Sequence, residues 1–283
     1  MQKNSYTSYS KINLGLRILN KRNDGFHNLE SIFIEINFAD ILVFSPAPKF
    51  SLTVQGNEKY WLPNDETNLI TKSYKLLENI RHPVNQKFKI LLKKNIPLGS
   101  GLGGGSSNAA ITLCALNQLW NMNLKSIELE KLGKKLGADI PFFIKGGTQL
   151  VSGIGDLLKP INATPIMDLF FLLIIPKIHI STPWAYSKLN KTLLNDKKEH
   201  KFAPLSDPMK WGLFENDFER VICETYPEIS EIIKSLKRAG SLHASLSGSG
   251  STVFGVFDDL QKANSLRDSF IQYRTFLASP VFR

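Results

Sequence analysis

Five glycines and three serines crowd into Pro97-Leu98-Gly99-Ser100-Gly101-Leu102-Gly103-Gly104-Gly105-Ser106-Ser107-Asn108. Glycine at this density lets a backbone take positive φ and approach a ligand closely, so that successive N–H groups converge on an anion. Ala109, Leu113, Leu116 and Trp120 follow at the spacing of one helical face. A helix starting at Ser106 adds its first amides and its dipole to the same anion. The alternative, a flexible surface loop, has no need of an amphipathic helix directly behind it. A second glycine-serine run, Ser245-Leu246-Ser247-Gly248-Ser249-Gly250-Ser251-Thr252, leads into Val253 to Phe257.

Three phosphate-binding patterns compete for the first loop. A Walker A loop places Lys and Ser/Thr after its second glycine, and no such sequence occurs in the chain. A dinucleotide fingerprint is literally present as Gly99-x-Gly101-x-x-Gly104, but it wants an acid about 20 residues on to hold a ribose. The stretch Asn95 to Leu124 contains no acid, which leaves this reading open but unsupported. A protein kinase needs His-Arg-Asp and Asp-Phe-Gly, and neither tripeptide is present.

The elements that must carry these loops are legible in outline. Ile32, Ile34, Ile36 and Phe38 alternate with Phe33, Glu35 and Asn37, and Ile41–Phe44 and Phe50–Val54 follow across turn residues, which predicts antiparallel neighbours. Ile70, Tyr74 and Leu77 predict a helix from Asp65 or Thr67 that fades before His82-Pro83. Phe88–Leu92 reads as a strand, so the order is strand, glycine loop, helix. A further helix from Ser126 turns Leu129, Leu132 and Leu136 inward and ends with Gly137 in the left-handed cap conformation. Beyond Gly146-Gly147, Leu169–Ile175 reads as a buried strand, and Ile229, Ile232, Ile233 and Leu236 as a helix stopping at Gly240. Lys188–Lys201 reads as an exposed excursion.

The chain's 283 residues suffice for two domains, and 42% hydrophobic with 21% charged residues excludes a disordered or fibrous protein. A net charge of +10 favours an anionic partner of some kind. The basic residues are dispersed in pairs such as Lys93-Lys94 and Lys134-Lys135, without an RNA-binding motif, so nucleic acid is not expected. Cys114 and Cys223 fall in helical runs and are expected reduced. The polar start shows no signal-peptide core before Lys11, and the uncharged Asn95–Leu124 stretch holds too many glycines and asparagines, with Pro97, to cross a bilayer. No membrane association and a cytoplasmic location are therefore expected.

The glycine loop resembles the central ATP-binding motif of the GHMP kinase superfamily, which phosphorylates small-molecule hydroxyls. Ser10-Lys11-Ile12-Asn13-Leu14-Gly15-Leu16, with Arg22-Asn23-Asp24-Gly25-Phe26-His27-Asn28-Leu29, is similar to the first motif of that superfamily's 4-diphosphocytidyl-2-C-methyl-D-erythritol kinases. Leu246–Phe254 looks like the third motif. The resemblance implies an α+β fold of two domains, 1–155 ribosomal-protein-like and 156–283 ferredoxin-like, with the active site in the cleft between them. It implies a cytidine-diphosphate methylerythritol substrate and a monomer or homodimer. A homoserine, mevalonate or sugar kinase, or a non-catalytic nucleotide or RNA binder, is the alternative.

Residue roles follow from the same resemblance. Lys11, alone in the uncharged stretch Asn4–Leu16, matches the catalytic lysine, and Asp139, between Gly137-Ala138 and Ile140-Pro141, the catalytic aspartate. The lysine keeps the aspartate ionised and polarises the acceptor hydroxyl, and the aspartate takes its proton. ATP is assigned to Pro97, Gly99, Ser100, Gly101, Gly103, Gly104, Gly105, Ser106 and Ser107. Mg2+ is expected on the ATP phosphates with the Ser106 hydroxyl as a ligand. His27 matches a residue that reads the cytosine edge, Phe26 and Tyr186 its stacking partners, and Asn13, Gly248 and Ser249 complete the substrate set. Phe26 stands where tyrosine is commoner, and Ser10 where alanine is usual. Helix-terminal, strand-edge and turn positions are the structural alternatives for Asp139, Lys11 and His27, and an ordinary helix-face aromatic is that for Tyr186.

Overall fold

Long strands at the start of the chain give way to helices once apolar residues recur every three to four positions. The computed structural model describes residues 3–56, 62–63, 65–80, 86–189, 202 and 204–282. In order it forms β1 (Asn4–Lys21), β2 (His27–Ala47), β3 (Ser51–Gly56), α1 (Leu69–Ile80), β4 (Lys87–Lys94), α2 (Gly104–Leu119), α3 (Ser126–Lys134), α4 (Ile140–Lys145), β5 (Thr148–Ser152) and β6 (Leu157–Pro160). It continues with β7 (Phe170–Ile175), α5 (Thr182–Lys188), α6 (Phe218–Thr225), α7 (Pro227–Arg238), β8 (His243–Leu246), β9 (Val253–Phe257), α8 (Leu260–Ser265) and β10 (Arg274–Ala278). This is the α+β class expected. Among the described residues no helix is long and apolar enough to cross a membrane.

The chain packs as two units that do not follow its linear order. One comprises Met1–Ser10, Phe38–Leu98 and Gly103–Gly146; the other comprises Lys11–Asn37, Gly99–Leu102 and Gly147–Arg283. In the first, β4 lies antiparallel to the second half of β2, with Ile41 opposite Lys93, and parallel to β3, with Ser51 opposite Lys89. Ile70, Tyr74 and Leu77 of α1 and Ala109, Leu113 and Leu116 of α2 are buried as their periodicity predicts. Tyr74 anchors this core: its hydroxyl accepts from Phe88 N at 3.2 Å, and its ring lies 5.2 Å from that of Trp120.

In the second unit, β10, β7, β9 and β8 form an antiparallel sheet in that order, and the first half of β2 pairs with β5, which pairs with β6. Every residue of β9 and all but the first of β7 are buried. Ile229, Ile232, Ile233 and Leu236 of α7 supply the apolar face against the sheet, and Gly240 at φ +75° ends that stretch as expected. Neither Cys114 of α2 nor Cys223 of α6 forms a disulfide among the described residues.

Several local expectations are corrected. Ile32–Phe38 and Ile41–Phe44 are one strand, because Asp40 is fully buried and its carboxylate accepts from Asn95 N, Ile96 N and Lys94 Nζ instead of starting a turn. The next strand, β3, pairs in parallel and not antiparallel. Gly137 is not left-handed: α3 ends at Lys134, and α4 begins three residues beyond Gly137. Leu136 is only half-buried, and the inward positions of α3 are Leu129 and Gly133. Helix α2 begins at Gly104, two residues before Ser106. His82-Pro83 and residues 190–201 lie outside the described residues.

Candidate active site

In the first unit, strand β4 delivers a fixed turn to the start of α2. Lys94 Nζ and the Asp40 carboxylate form an ion pair at 2.6 Å, and the same carboxylate takes the N–H groups of Asn95 and Ile96 at 2.6 and 2.8 Å. Gly103, at φ +70°, is the N-cap of α2. A Cβ on Gly104 would lie 2.8 Å from Ile96 Cγ2 and 3.1 Å from Lys94 Nζ, so only glycine lets the helix begin here. The amides of Gly103, Gly104, Gly105 and Ser106 donate to no acceptor among the described residues, whereas Ser107 N is satisfied by Gly103 O at 2.9 Å. Four unspent donors at a helix N-terminus form an anion site.

The two serines differ. Ser8 Oγ donates to Asn108 Oδ1 at 2.8 Å and lies 2.7 Å from Ser107 Oγ; with Ser8's proton spent on Asn108, Ser107 is the donor of the second bond. Buried Ser107 therefore ties the first turn of α2 to β1, while the half-buried Ser106 hydroxyl makes no hydrogen bond among the described residues. Pro97 is half-buried at the head of the turn. Asp139 is half-buried at the N-cap of α4, yet its side chain makes no cap hydrogen bond, so it is not spent on the helix it precedes.

In the second unit, Lys11 is 4% exposed, and an amide oxygen and an aromatic ring are among the partners of its ammonium. Nζ donates to Asn13 Oδ1, one strand period along β1, and lies 4.4 Å from the centroid of the Phe33 ring. Asn13 Nδ2 donates to Ser31 Oγ at 3.1 Å, and Ser31 donates to Gly15 O at 2.6 Å, so the asparagine has one orientation. The Lys11 amide donates to Leu102 O at 3.0 Å.

The two glycine runs meet in this unit. Gly99 and Gly101 stand at φ +62° and +78°, and a Cβ on Gly101 would lie 2.0 Å from Ser247 O. Ser247 Oγ donates to Gly101 O at 3.0 Å and Thr252 N to the carbonyl of buried Ser100 at 3.1 Å. Gly248, at φ +58°, brings its Cβ position to 3.3 Å from Asn13 Oδ1. Ser249 Oγ and Thr182 Oγ1 share a hydrogen bond at 2.9 Å.

Thr182 opens onto a cavity of about 680 Å3 lined also by Lys21, Phe26, His27, Tyr186 and Leu189. Phe26 is 59% exposed. The His27 and Tyr186 rings are stacked, and the edge of Tyr186 meets Phe218 at 5.0 Å. Burial, helped by the Lys21 charge, lowers the His27 pKa, so at neutral pH its imidazole is uncharged and offers one donor and one acceptor. The cavity thus combines aromatic faces with a hydrogen-bonding edge and an ammonium.

Among the described residues no three His, Cys, Asp or Glu side chains gather to hold a metal ion. An ion carried by the phosphates of a bound nucleotide, with the uncommitted Ser106 hydroxyl as its protein ligand, fits this donor set. Three residues escaped sequence reasoning: Thr182, bonded to Ser249, and Asn216 and Glu219, which hydrogen-bond to residues 245–248.

The chain matches the family model described as GHMP kinases N terminal domain over residues 68–147, and that described as GHMP kinases C terminal over residues 197–273. It is similar to the 4-diphosphocytidyl-2-C-methyl-D-erythritol kinase of Chlorobium phaeobacteroides, 39% identical over 286 residues that take in 98% of this chain and 95% of that protein. The enzyme of the same name from Prosthecochloris aestuarii is 40% identical over 265 residues, 92% of this chain and 91% of that protein. Among solved structures, a 4-(cytidine 5'-diphospho)-2C-methyl-D-erythritol kinase superposes with a TM-score of 0.80 at 26% identity, covering 99% of this chain and 100% of that one. A homoserine kinase from Cytophaga hutchinsonii shares the fold, with a TM-score of 0.72 at 21% identity over 99% of this chain and 96% of that one.

Proposed function

Because the chain belongs to the GHMP kinases, among the 4-diphosphocytidyl-2-C-methyl-D-erythritol kinases, we propose specific roles for its residues in that reaction. The enzyme phosphorylates its cytidylyl substrate in non-mevalonate isoprenoid precursor biosynthesis, with ATP as phosphoryl donor. The acceptor is the 2-hydroxyl of the methylerythritol.

The observation that carries the nucleotide assignment is the set of unspent amides from Gly103 to Ser106 at the start of α2. These amides take phosphate oxygens, Gly99 and Gly101 keep the preceding backbone close, and Ser107 steadies the turn. Pro97 and Ser100 shape the approach. Mg2+, when bound, neutralises charge on the phosphates, with Ser106 Oγ as its protein ligand.

Asp139 accepts the proton of the 2-hydroxyl as that oxygen bonds to the γ-phosphorus and the bond from phosphorus to the bridging oxygen breaks, leaving ADP. Lys11, fixed by Asn13 and Phe33, supplies positive charge to the acceptor oxygen and the transferred phosphoryl group. Neutral His27 reads the cytosine edge, Phe26 and Tyr186 offer their faces to the base, and Asn13, Gly248 and Ser249 position the rest of the substrate. The chain acts in the cytoplasm, alone or as a homodimer. Phosphorus NMR of the product tests the assignment: a new phosphomonoester on the 2-carbon is expected, and phosphate on any other oxygen would overturn it.

A further inference from the structure

The segment Glu215–Glu219 touches three parts of the second unit that carry proposed site residues. On one side it is laced to β1, the strand of Lys11 and Asn13: Leu16 N donates to Glu215 O at 2.8 Å, Asp217 N donates to Leu16 O at 2.9 Å, and Ile18 N donates to the Asp217 carboxylate at 2.6 Å. On the other side, Asn216 Nδ2 donates to both Leu246 O and Gly248 O, at 2.8 and 2.9 Å. Asn216 Oδ1 accepts from Phe218 N at 3.0 Å, so every hydrogen-bonding atom of this 4% exposed side chain is committed. Glu219, one helical turn on, accepts from Ser245 Oγ and from Leu246 N. Phe218 meets the edge of Tyr186.

Two carbonyls two residues apart converge on one amide group only when the chain between them is curved. Backbone pairing holds one side of this turn, with Leu246 opposite Val253 and Ser247 N donating to Thr252 O at 2.9 Å, and Asn216 clamps the Leu246 and Gly248 carbonyls on the other. The bend presents Gly248 to Asn13 Oδ1 and Ser249 to Thr182. We propose that Asn216, with Glu219 behind it, is a positioning residue that sets the Gly248–Ser249 segment against Asn13 for substrate binding. The proposal rests on the reading of Gly248 and Ser249 as substrate contacts.

The substitution Asn216→Asp isolates the two donors, because it keeps the shape and the acceptor for Phe218 N but turns an oxygen toward two carbonyl oxygens. Steady-state kinetics should show KM for the cytidylyl substrate raised at least about tenfold, a smaller change in KM for ATP and little change in kcat. Asn216→Ser, which keeps a single donor, should fall between the wild type and Asn216→Asp. Glu219→Gln, which retains an acceptor oxygen, should bind substrate better than Glu219→Leu. In a cycle with Ser249→Ala, the double variant should lose less than the product of the two single losses, as expected of residues acting through one contact. Wild-type KM values in both Asn216 variants while Ser249→Ala is impaired would overturn the positioning role alone. Wild-type behaviour of Ser249→Ala would overturn the reading beneath it, and loss of fold in both Asn216 variants would make the residue a folding determinant instead.

Discussion

The His27 imidazole lies over the ring of Tyr186, with centroids 5.0 Å apart and planes 20° from parallel. One ring comes from the start of β2 and the other from α5, so the pair joins two distant stretches of chain at one cavity. If this is where the base is read, both residues act on the same ligand. Removing either face should cost about 1–3 kcal/mol of base stacking or edge contact, roughly 5- to 150-fold in KM for the cytidylyl substrate. His27→Ala and Tyr186→Ala should leave KM for ATP within a few-fold of wild type. Equal effects on both substrates would remove the base-reading role.

The same histidine fixes a pH dependence. Its lowered pKa means that the neutral form prevails at and above neutrality, and protonation sets in only as the pH falls through that lowered value. KM for the cytidylyl substrate should be flat on the alkaline side of neutrality and rise in acid. His27→Ala should flatten the acid limb, and an unchanged limb in that variant would assign it to another group.

Gly101 has no room for a side chain. At φ +78°, with Ser247 O only 2.0 Å from where a Cβ would sit, Gly101→Ala must push the two glycine runs apart. The positive φ alone costs about 1 kcal/mol or more for a non-glycine residue. The variant should lose thermal stability and raise KM for ATP by an order of magnitude or more. Wild-type nucleotide binding would show that the contact between the runs is incidental.

Burial sets a stability limit through His243, which is 8% exposed between Phe214 and Phe254 and has no partner for Nε2 among the described residues. Burial pulls its pKa from 6.5 down to about 4. The unfolded chain therefore binds the proton first, and stability is lost as the pH falls from 6.5 toward 4, by up to about 3 kcal/mol. Glu219, whose carboxyl is pushed up by burial, works in the opposite direction over the acid range. Denaturant melts of the wild type and His243→Phe should differ in slope over that window, and parallel curves would contradict the account.

What the sequence revealed depended on how local the signal was. The glycine loop, the apolar face of α2 and the face of α7 were legible because density and period are properties of adjacent residues. Strand β1 was not, since Asn4–Ser10 has no apolar alternation; its Ser8 and Ser10 are buried and hydrogen-bonded, as in Ser10 Oγ donating to Phe38 O at 2.7 Å. Asp40 reads as a turn residue until the amides of Asn95 and Ile96 are brought to it. Asn216 and Glu219 were invisible because their targets are a serine, a backbone N–H and two carbonyls some 30 residues on, and those carry no side-chain signature. His27, Tyr186, Lys11 and Asp139 were picked out by resemblance, not by pattern.

The proposed chemistry turns on Asp139, whose side chain is left uncommitted by its own helix. Asp139→Asn keeps shape but cannot take a proton, so kcat should fall by about 10²- to 10⁴-fold, with KM for ATP changed only a few-fold. Near-wild-type kcat would remove the residue from the reaction.

The most direct measurement is ADP release from ATP with the cytidylyl methylerythritol, homoserine, mevalonate and a sugar offered in parallel under identical conditions. The account predicts one ADP per cytidylyl substrate consumed and no release above background with the other alcohols. Turnover of any of those alcohols at a kcat/KM equal to or above that of the cytidylyl substrate would contradict it.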